Sequence, residues 1–290
     1  MEIKKSFETS FKELGKHKVI VFPVLLSIFI PIILTLIYVD ISGLREVMQT
    51  SFEKSDVNNV NDNSQSDKLY NLITVENIIL LIIFVFIGII SLIYLTCATF
   101  SLITLNICKK DLNFYDMIKL TNKYLFRYIS LNILYALIII IPTLLVFLVA
   151  FLIFSTQKVL GIFSAVIAVI LLLVYMIYIG LRLFFSTPIL FIEKKSASQS
   201  LLYSFHITKG HLKQVFIIYT IILGISLLSG QISGNPIQSS IIEYFKSENV
   251  FKSIFMIFLI AIFVLIEAIV VALEQLFFFY SYVDFRRIIK

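Results

Sequence analysis

Six long apolar runs, separated by short polar segments, restrict the folds open to this chain of 290 residues. A helix needs about 20 apolar residues to cross the hydrocarbon core of a bilayer, and most of the runs reach that length. The chain is 59% hydrophobic, whereas soluble domains are roughly 45–50% apolar. We therefore predict an all-α integral membrane protein with six transmembrane helices in a single membrane domain, 1–290. The predicted spans are 19–39, 78–105, 128–154, 159–192, 215–229 and 253–282.

The basic residues are distributed unevenly between the two sides that six spans define. The termini and the segments after the second and fourth spans hold 17 of the 24 Lys and Arg residues, whereas the three opposite loops hold six. The longest opposite loop, 41–77, contains a polar stretch rich in Asn, Ser and Asp. Because positively charged loops stay in the cytoplasm, the pattern predicts a multi-pass protein of the cell (cytoplasmic) membrane with both termini cytoplasmic.

Three segments on the basic side, 1–18, 109–127 and 182–213, carry apolar residues at helical spacing and most of their charges elsewhere. This pattern predicts interfacial amphipathic helices. Lys and Arg near an anionic leaflet contribute about 1 kcal/mol each, so we predict contacts with anionic lipid; plain anchoring of the topology is the alternative. The candidate contacts, called here the basic collar, are Lys4, Lys5, Lys12, Lys16, Lys119, Lys123, Arg127, Lys194, Lys195, Lys209 and Lys213.

The three amphipathic segments also align with one another. Shifts of 107 and 87 residues bring Phe7 into register with Phe114 and Leu201. The end of the fourth span, FIEKK, resembles the end of the sixth, YVD followed by RR. We predict three pseudo-repeats of interfacial helix plus helical hairpin; chance similarity among apolar, Lys-rich segments is the alternative. The other aligned sets are Phe11, Ile118 and Phe205; Leu14, Thr121 and Thr208; and His17, Tyr124 and His211.

The clearest copy of the repeated joint is Arg182–Lys213, called here the elbow. Its recognisable residues are Arg182, Thr187-Pro188, Phe191, Glu193, Ser204 and Thr208-Lys209-Gly210. This pattern resembles one in a loose group of prokaryotic polytopic membrane proteins, which includes the membrane domain of glycerophosphodiester phosphodiesterases and related families of unknown function. The resemblance implies a multi-span helical fold and a bacterial or archaeal setting. It implies no catalytic residues, because the sequence shows no soluble phosphodiesterase domain.

Four polar residues inside the spans form a candidate intramembrane site. Ionisable groups are costly in lipid, so they usually face the bundle interior or a cavity. Glu267 and Glu274 are seven residues apart and share one helix face, and Gln275 lies beside them. Arg182, in the fourth span, is expected at nearly the same depth as Glu274. A buried Arg182–Glu274 pair is one interpretation, and a protonatable Glu267 in a transport path is the other.

No motif in the sequence indicates catalysis or a cofactor. There is no Gly-rich phosphate loop, metalloprotease His-Glu pair or nucleophile elbow, and Cys97 and Cys108 match no metal-ligand or redox spacing. The net charge of +6 is dispersed over short loops, which argues against nucleic acid as a partner. We therefore predict a non-enzymatic scaffold or lipid-interacting module, with membrane lipids as partners and no cofactor or metal. A small permease or exporter using the carboxylates of the last span is the alternative.

Overall fold

A computed structural model describes residues 3–44, 74–108, 113–156, 158–231, 235–246 and 250–289. Those residues form helices and the turns between them, with no strand among them, which confirms the predicted all-α class. The α-helices are α1 (Ile3–Lys16), α2 (Val21–Ile41), α3 (Val75–Ile107), α4 (Phe114–Thr156), α5 (Lys158–Leu183), α6 (Ser186–Ile192), α7 (Ala197–Ile207), α8 (Leu212–Ser229), α9 (Asn235–Lys246) and α10 (Val250–Ile289).

The helical structure contains the six predicted membrane-length stretches. The chain is therefore an all-α multi-pass membrane protein. Most of the stretches extend a few residues beyond the apolar runs, because helices continue past the hydrocarbon where polar residues are also helical. The stretches long and apolar enough to cross a membrane are Lys18–Ile41, Val75–Ile107, Phe114–Ser155, Ile162–Ile192, Leu212–Ser229 and Phe255–Ile289.

The described helices form two compact units. The first comprises Met1–Ser10, Ile103–Leu223 and Phe277–Lys290, and the second comprises Phe11–Leu102 and Gly224–Leu276. Each unit therefore joins segments that are distant in the sequence. The assignment of 1–290 to a single membrane domain stays a prediction.

In the first unit, α4 and α5 form the predicted antiparallel hairpin. Pro142 interrupts the hydrogen bonding of α4, because it has no N–H to donate to the carbonyl of Ile138. The hydroxyl of Tyr175 on α5 donates to that carbonyl at 2.8 Å. A backbone acceptor that would otherwise be unsatisfied in lipid thus has a partner on the neighbouring helix.

Helix α4 is longer than its apolar run predicts. Its 43 residues correspond to about 64 Å at the usual rise per residue, which is about twice the thickness of the hydrocarbon core. The segment predicted as a separate interfacial helix, 109–127, belongs to α4 from Phe114 onward. No Gly or Pro occurs between Phe114 and Arg127 to end a helix there, so the amphipathic segment continues into the span without a break.

The predicted fourth span, 159–192, contains a turn. Helix α5 ends at Leu183, Phe184 and Phe185 form the turn, and α6 begins at Ser186. Pro188 explains the position of the break, since a proline removes the hydrogen bond to the residue four positions earlier and its ring collides with that carbonyl. Two helical segments joined by a turn therefore replace a single continuous helix at the start of the elbow.

Local sequence signals define both ends of α7. At its start, Ser196 and Gln199 form a reciprocal capping box that satisfies two free backbone donors. Lys194 precedes it with a φ of 58°, a left-handed conformation that turns the chain. At its end, Thr208 is the C-cap and Gly210 adopts a φ of 87°, where glycine has no steric penalty.

In the second unit, α9 packs against α10. Ile237 of α9 forms a buried cluster with Ile260 and Val264 of α10, and side chains of α2 pack against it. Helix α9 lies between the predicted fifth and sixth spans. Most of the predicted polar loop, 41–77, lies outside the described residues, which do not include 45–73.

Candidate functional site

The backbone carbonyl of Arg182 is the polar centre of the elbow. The last carbonyls of a helix have no intrahelical donor, and this one, near the end of α5, accepts two hydroxyls from α7. Ser204 donates to it at 3.0 Å, and the Thr208 hydroxyl lies 3.2 Å from it and 2.9 Å from the carbonyl of Ser204, so Thr208 shares its proton between the two acceptors. Both hydroxyl residues are fully buried, so they fix α7 against the end of α5.

The Arg182 side chain, a predicted site residue, is held by aromatic rings. It is only 5% exposed, and its guanidinium carbon lies 3.8 Å from the centre of the Phe205 ring and 5.8 Å from that of Tyr178. Such cation–π contacts stabilise a desolvated cation. Its buried Nε has no hydrogen-bond partner among the described residues. Glu274 belongs to the second unit, and the Arg182–Glu274 pair stays a prediction.

Glu193 connects the elbow to the end of α10. Its Oε1 accepts a hydrogen bond from the hydroxyl of Tyr282 and lies 3.1 Å from Nε of Arg286, while its Oε2 lies 3.6 Å from Nζ of Lys195. One carboxylate thus has a hydroxyl donor and two cations. The similarity of the segments around Glu193 and Tyr282 predicts a repeat; in the structure the two segments contact each other.

Phe185, in the turn between α5 and α6, is the centre of an aromatic cluster. It is fully buried, and its ring centre lies 4.9 Å from that of Phe285, 5.5 Å from Tyr282 and 6.3 Å from Phe278. Phe184 contacts the same group at 5.1 Å. Aromatic pairs at these distances add to the free energy of burial, so the cluster holds the elbow against α10.

The start of α1 contacts the same end of α10. The hydroxyl of Ser6 donates to Asp284 at 2.6 Å, and Arg287 lies 3.3 Å from the other oxygen of that carboxylate. The rings of Phe7 and Phe277 meet edge to face at 5.7 Å. Sequence analysis missed Ser6; a small polar residue on the apolar face of an amphipathic helix was the available signal.

The other predicted intramembrane residues lie together on α10 in the second unit. Glu267, Glu274 and Gln275 are each half-buried, and the hydroxyl of Ser226 on α8 interacts with the carboxyl of Glu274. The side-chain oxygen of Gln275 is buried without a hydrogen-bond partner among the described residues. The two carboxyls and the amide thus share one stretch of helix, as their spacing predicts.

The basic collar is almost entirely exposed. Ten of its eleven side chains are exposed and only Lys195 is half-buried, with its ammonium 3.0 Å from the centre of the Tyr203 ring. Arg127 donates to the carbonyl of Lys194 at 3.2 Å. The exposed pair Lys4–Glu8, at 3.8 Å, contributes little stability because water screens it.

Three grooves on the described surface are mainly apolar. One of about 630 Å³ lies between the α1–α2 junction and α10, one of about 350 Å³ between α2 and α3, and one of about 410 Å³ between α4 and α5. Lys18 is the only charged side chain that lines any of these three grooves. Their walls therefore match hydrocarbon rather than a polar substrate.

No metal centre is present within the part of the chain that the structure describes. There, no three His, Cys, Asp or Glu side chains are close enough together to hold a metal ion. Cys97 is a buried free thiol and Cys108 an exposed one, and they form no disulfide.

Two aligned sets of the three amphipathic segments are buried in every copy, whereas other sets differ, since Phe114 is exposed and its counterpart Leu201 is buried. Leu14, Thr121 and Thr208 are each buried, although each lies in a different helical context. One further aligned set is also buried in all three copies: Ser10, Met117 and Ser204. The shared buried face agrees with the threefold repeat, which stays a prediction.

These features define a class of protein: a multi-pass, all-α membrane protein with an aromatic and hydrogen-bonded elbow and an exposed basic collar. No family model matches the sequence, and no curated protein or solved structure shows significant similarity to it.

Proposed function

We propose that this chain is a non-enzymatic, lipid-interacting scaffold of a bacterial or archaeal cytoplasmic membrane, with both termini and the basic collar on the cytoplasmic side. The observation that carries the proposal is the exposure of the collar: most of its cations lie on helices whose opposite faces contain buried residues, and Lys194, Lys195 and Lys209 lie in the connections on either side of α7. The resemblance of the elbow to prokaryotic polytopic membrane proteins agrees with this setting.

The start of α4 illustrates the two-faced arrangement. Thr121 and Tyr124 are buried, whereas Lys119 and Lys123 are exposed on the same turns. The buried face fixes the helix, and the exposed face remains available to phosphate headgroups. At about 1 kcal/mol for each cation near an anionic leaflet, a few such lysines produce a marked preference for anionic lipid.

The polar groups of the elbow support a structural rather than a catalytic role. The carboxylate of Glu193 is engaged by Tyr282 and Arg286, and the hydroxyls of Ser204 and Thr208 are engaged by a backbone carbonyl. A catalytic acid, base or nucleophile needs a hydrogen-bonding direction toward a substrate. Contacts of this kind stabilise a joint between helices.

The test is the preference of the reconstituted full chain for spin-labelled phosphatidylglycerol over phosphatidylcholine, measured by electron paramagnetic resonance. Wild type is expected to prefer the anionic lipid. The variant K119Q/K123Q/K209Q/K213Q loses most of this preference, since four exposed cations are removed. The matched control, R45Q/K54Q/K68Q/K158Q, removes four charges from the opposite loops and retains it. If wild type bound the two lipids equally, or if the collar variant kept the wild-type preference for the anionic lipid, the proposal would be contradicted.

A permease or exporter is the second candidate, favoured by the half-buried carboxyls of Glu267 and Glu274 on one stretch of α10. In a transport path, a protonatable carboxyl inside a span relays protons or balances a cation. This role predicts that Glu267→Gln lowers proton flux into proteoliposomes, while the exposed-carboxylate control Asp116→Asn does not. Equal flux in wild type, both variants and protein-free liposomes removes this candidate.

A further inference from the structure

The groove of about 630 Å³ lies entirely within the second unit. One wall runs from Phe11 near the end of α1, through the turn, to Leu25 of α2, and the other consists of Leu265 and Ile269 on α10. Phe11, Leu265 and Ile269 are among the exposed large apolar side chains. Both walls of the groove beside the first span are therefore apolar and accessible.

The end of the groove at α1 is open because Gly15 lines it. A Cβ atom placed on Gly15 would have no atom within 4 Å, and its φ is not in the positive region that disfavours other residues. The position can accept a side chain without backbone strain. A larger residue there would occupy the groove rather than disturb its walls.

Lys18 provides a charge at the mouth of the groove. It is exposed and is the first residue of the first membrane-length stretch, Lys18–Ile41, which is where the headgroup region meets the hydrocarbon. No described residue forms an ion pair with Lys18, whereas the neighbouring Lys16 lies 3.7 Å from Glu13. The groove thus combines an uncompensated cation at the interface with apolar walls below it.

We propose that this groove is a binding site for one anionic glycerophospholipid, with its phosphate beside Lys18 and an acyl chain between α2 and the wall formed by Leu265 and Ile269. The charge complementarity between Lys18 and a phosphate selects an anionic lipid over a zwitterionic one. The apolar walls select a hydrocarbon chain over a free phosphate. The inference rests on the lipid-interacting role proposed above and assigns it a site outside the basic collar.

The absence of tryptophan from the chain permits a direct test by fluorescence. The Phe22→Trp variant places a single reporter on the α2 wall of the groove. The full-length protein is reconstituted in phosphatidylcholine bilayers, and quenching is titrated with phosphatidylglycerol or phosphatidylcholine brominated on the acyl chain. We expect the anionic lipid to quench with a binding constant about fivefold higher, the ratio that corresponds to one cation at an anionic headgroup.

Two further substitutions in the Phe22→Trp variant distinguish the contribution of the lipid headgroup to binding from that of the acyl chain. Lys18→Gln is expected to reduce the binding ratio of the two lipids from about five to about one. Gly15→Leu is expected to lower quenching by both lipids, because its side chain fills the groove. The control Lys158→Gln removes a lysine at the start of α5, outside both the groove and the basic collar, and should leave the ratio unchanged.

Tryptophans at two other positions test whether the preference for anionic lipid arises in the groove. Leu265→Trp, on the opposite wall, should reproduce the anionic preference if Phe22→Trp impairs folding. Phe151→Trp, at an exposed apolar position of α4, should be quenched equally by both lipids as in bulk bilayer. Equal quenching by both lipids at the two groove reporters, or a preference that Lys18→Gln does not change, overturns the site. If the collar-dependent preference measured by spin-labelled lipid persists in that case, the scaffold role stands without the groove.

Discussion

The elbow and the half of the α4–α5 hairpin nearest the turn between the two helices, both in the first unit, differ in how far their apolar side chains are buried in protein. In the elbow, Phe185 and Ile189 are fully buried against protein. In the hairpin, Phe151 is 67% exposed and Leu171 is also exposed. Lipid tails are as apolar as these side chains, so the hairpin requires no protein cover. Burial of apolar side chains in protein is therefore concentrated in the elbow, and the hairpin is specified mainly by length and hydropathy.

The elbow and the hairpin also differ in their polar contacts. In the hairpin, the carbonyl opposite Pro142 has a specific partner, the hydroxyl of Tyr175. In the elbow, hydroxyls, a carboxylate and a guanidinium are all engaged within a few turns of helix. A buried polar group without a partner costs more free energy than the paired group gains. Substitutions in the elbow should therefore destabilise the protein more than substitutions in the hairpin.

The largest difference is expected for a matched pair of phenylalanines. Phe185→Ala removes a fully buried ring and leaves a cavity, so the free energy of unfolding should fall by about 3–4 kcal/mol. Phe151→Ala removes a ring that is 67% exposed and should change it by less than about 0.5 kcal/mol. Unfolding in mixed detergent micelles measures both. Equal losses would mean that the elbow and the hairpin depend on packing to the same extent.

The Glu193 contacts should give the next largest effect. Glu193→Ala leaves the buried hydroxyl of Tyr282 without its acceptor and Arg286 without its carboxylate, so a loss of about 2–3 kcal/mol in unfolding free energy is expected. Tyr282→Phe and the double variant complete a mutant cycle in the same assay. Strictly additive losses would show that the two residues do not interact in the folded protein.

The two hydroxyls that share the carbonyl of Arg182 should compensate for each other. Ser204→Ala or Thr208→Val alone leaves one donor in place, so each should destabilise by about 1 kcal/mol or less. The double variant leaves the carbonyl unsatisfied and should lose about 2–3 kcal/mol, more than the sum of the single losses. A sum of single losses equal to the double loss would exclude a shared acceptor.

A smaller effect than that of the double variant is expected for the hydrogen bond at Pro142 in the hairpin. Tyr175→Phe removes the donor to the carbonyl of Ile138 and should reduce the unfolding free energy by about 1 kcal/mol, the usual range for hydrogen bonds between membrane helices. Tyr178→Phe is the control, since it keeps the ring that faces Arg182 and no hydrogen bond of its hydroxyl is found among the described residues. If the two variants lose the same free energy, the Tyr175 hydroxyl has no special role at Pro142.

The six membrane-length stretches and their helical structure could be predicted because bilayer thickness leaves a strong pattern in the sequence. The length of α4 could not, since 114–127 has the amphipathic pattern of a separate surface helix and nothing in that pattern shows where one helix ends and another begins. The turn at Phe184 and Phe185 had a signal in Pro188. The uniformly apolar sequence around it nevertheless favours a continuous span.

The candidate site could be predicted only by residue type. Glu267, Glu274 and Arg182 are identifiable because charge inside a span is rare. The partners of Ser204 and Thr208 are 22 and 26 residues earlier in the chain, and those of Glu193 include Tyr282, 89 residues later. Hydrogen bonds over such separations depend on the tertiary packing of the helices, which hydropathy and spacing do not encode.

Whether the elbow faces the cytoplasm is tested most directly by labelling with a membrane-impermeant maleimide. In a Cys108→Ser background, where the remaining Cys97 is fully buried, Lys209→Cys reports on the elbow and Ser64→Cys on the predicted outer loop. In intact spheroplasts, the variant at position 64 should be labelled and the variant at position 209 should be labelled only after the membrane is disrupted. Labelling at position 209 in intact spheroplasts, with protection at position 64, would contradict the proposed cytoplasmic scaffold.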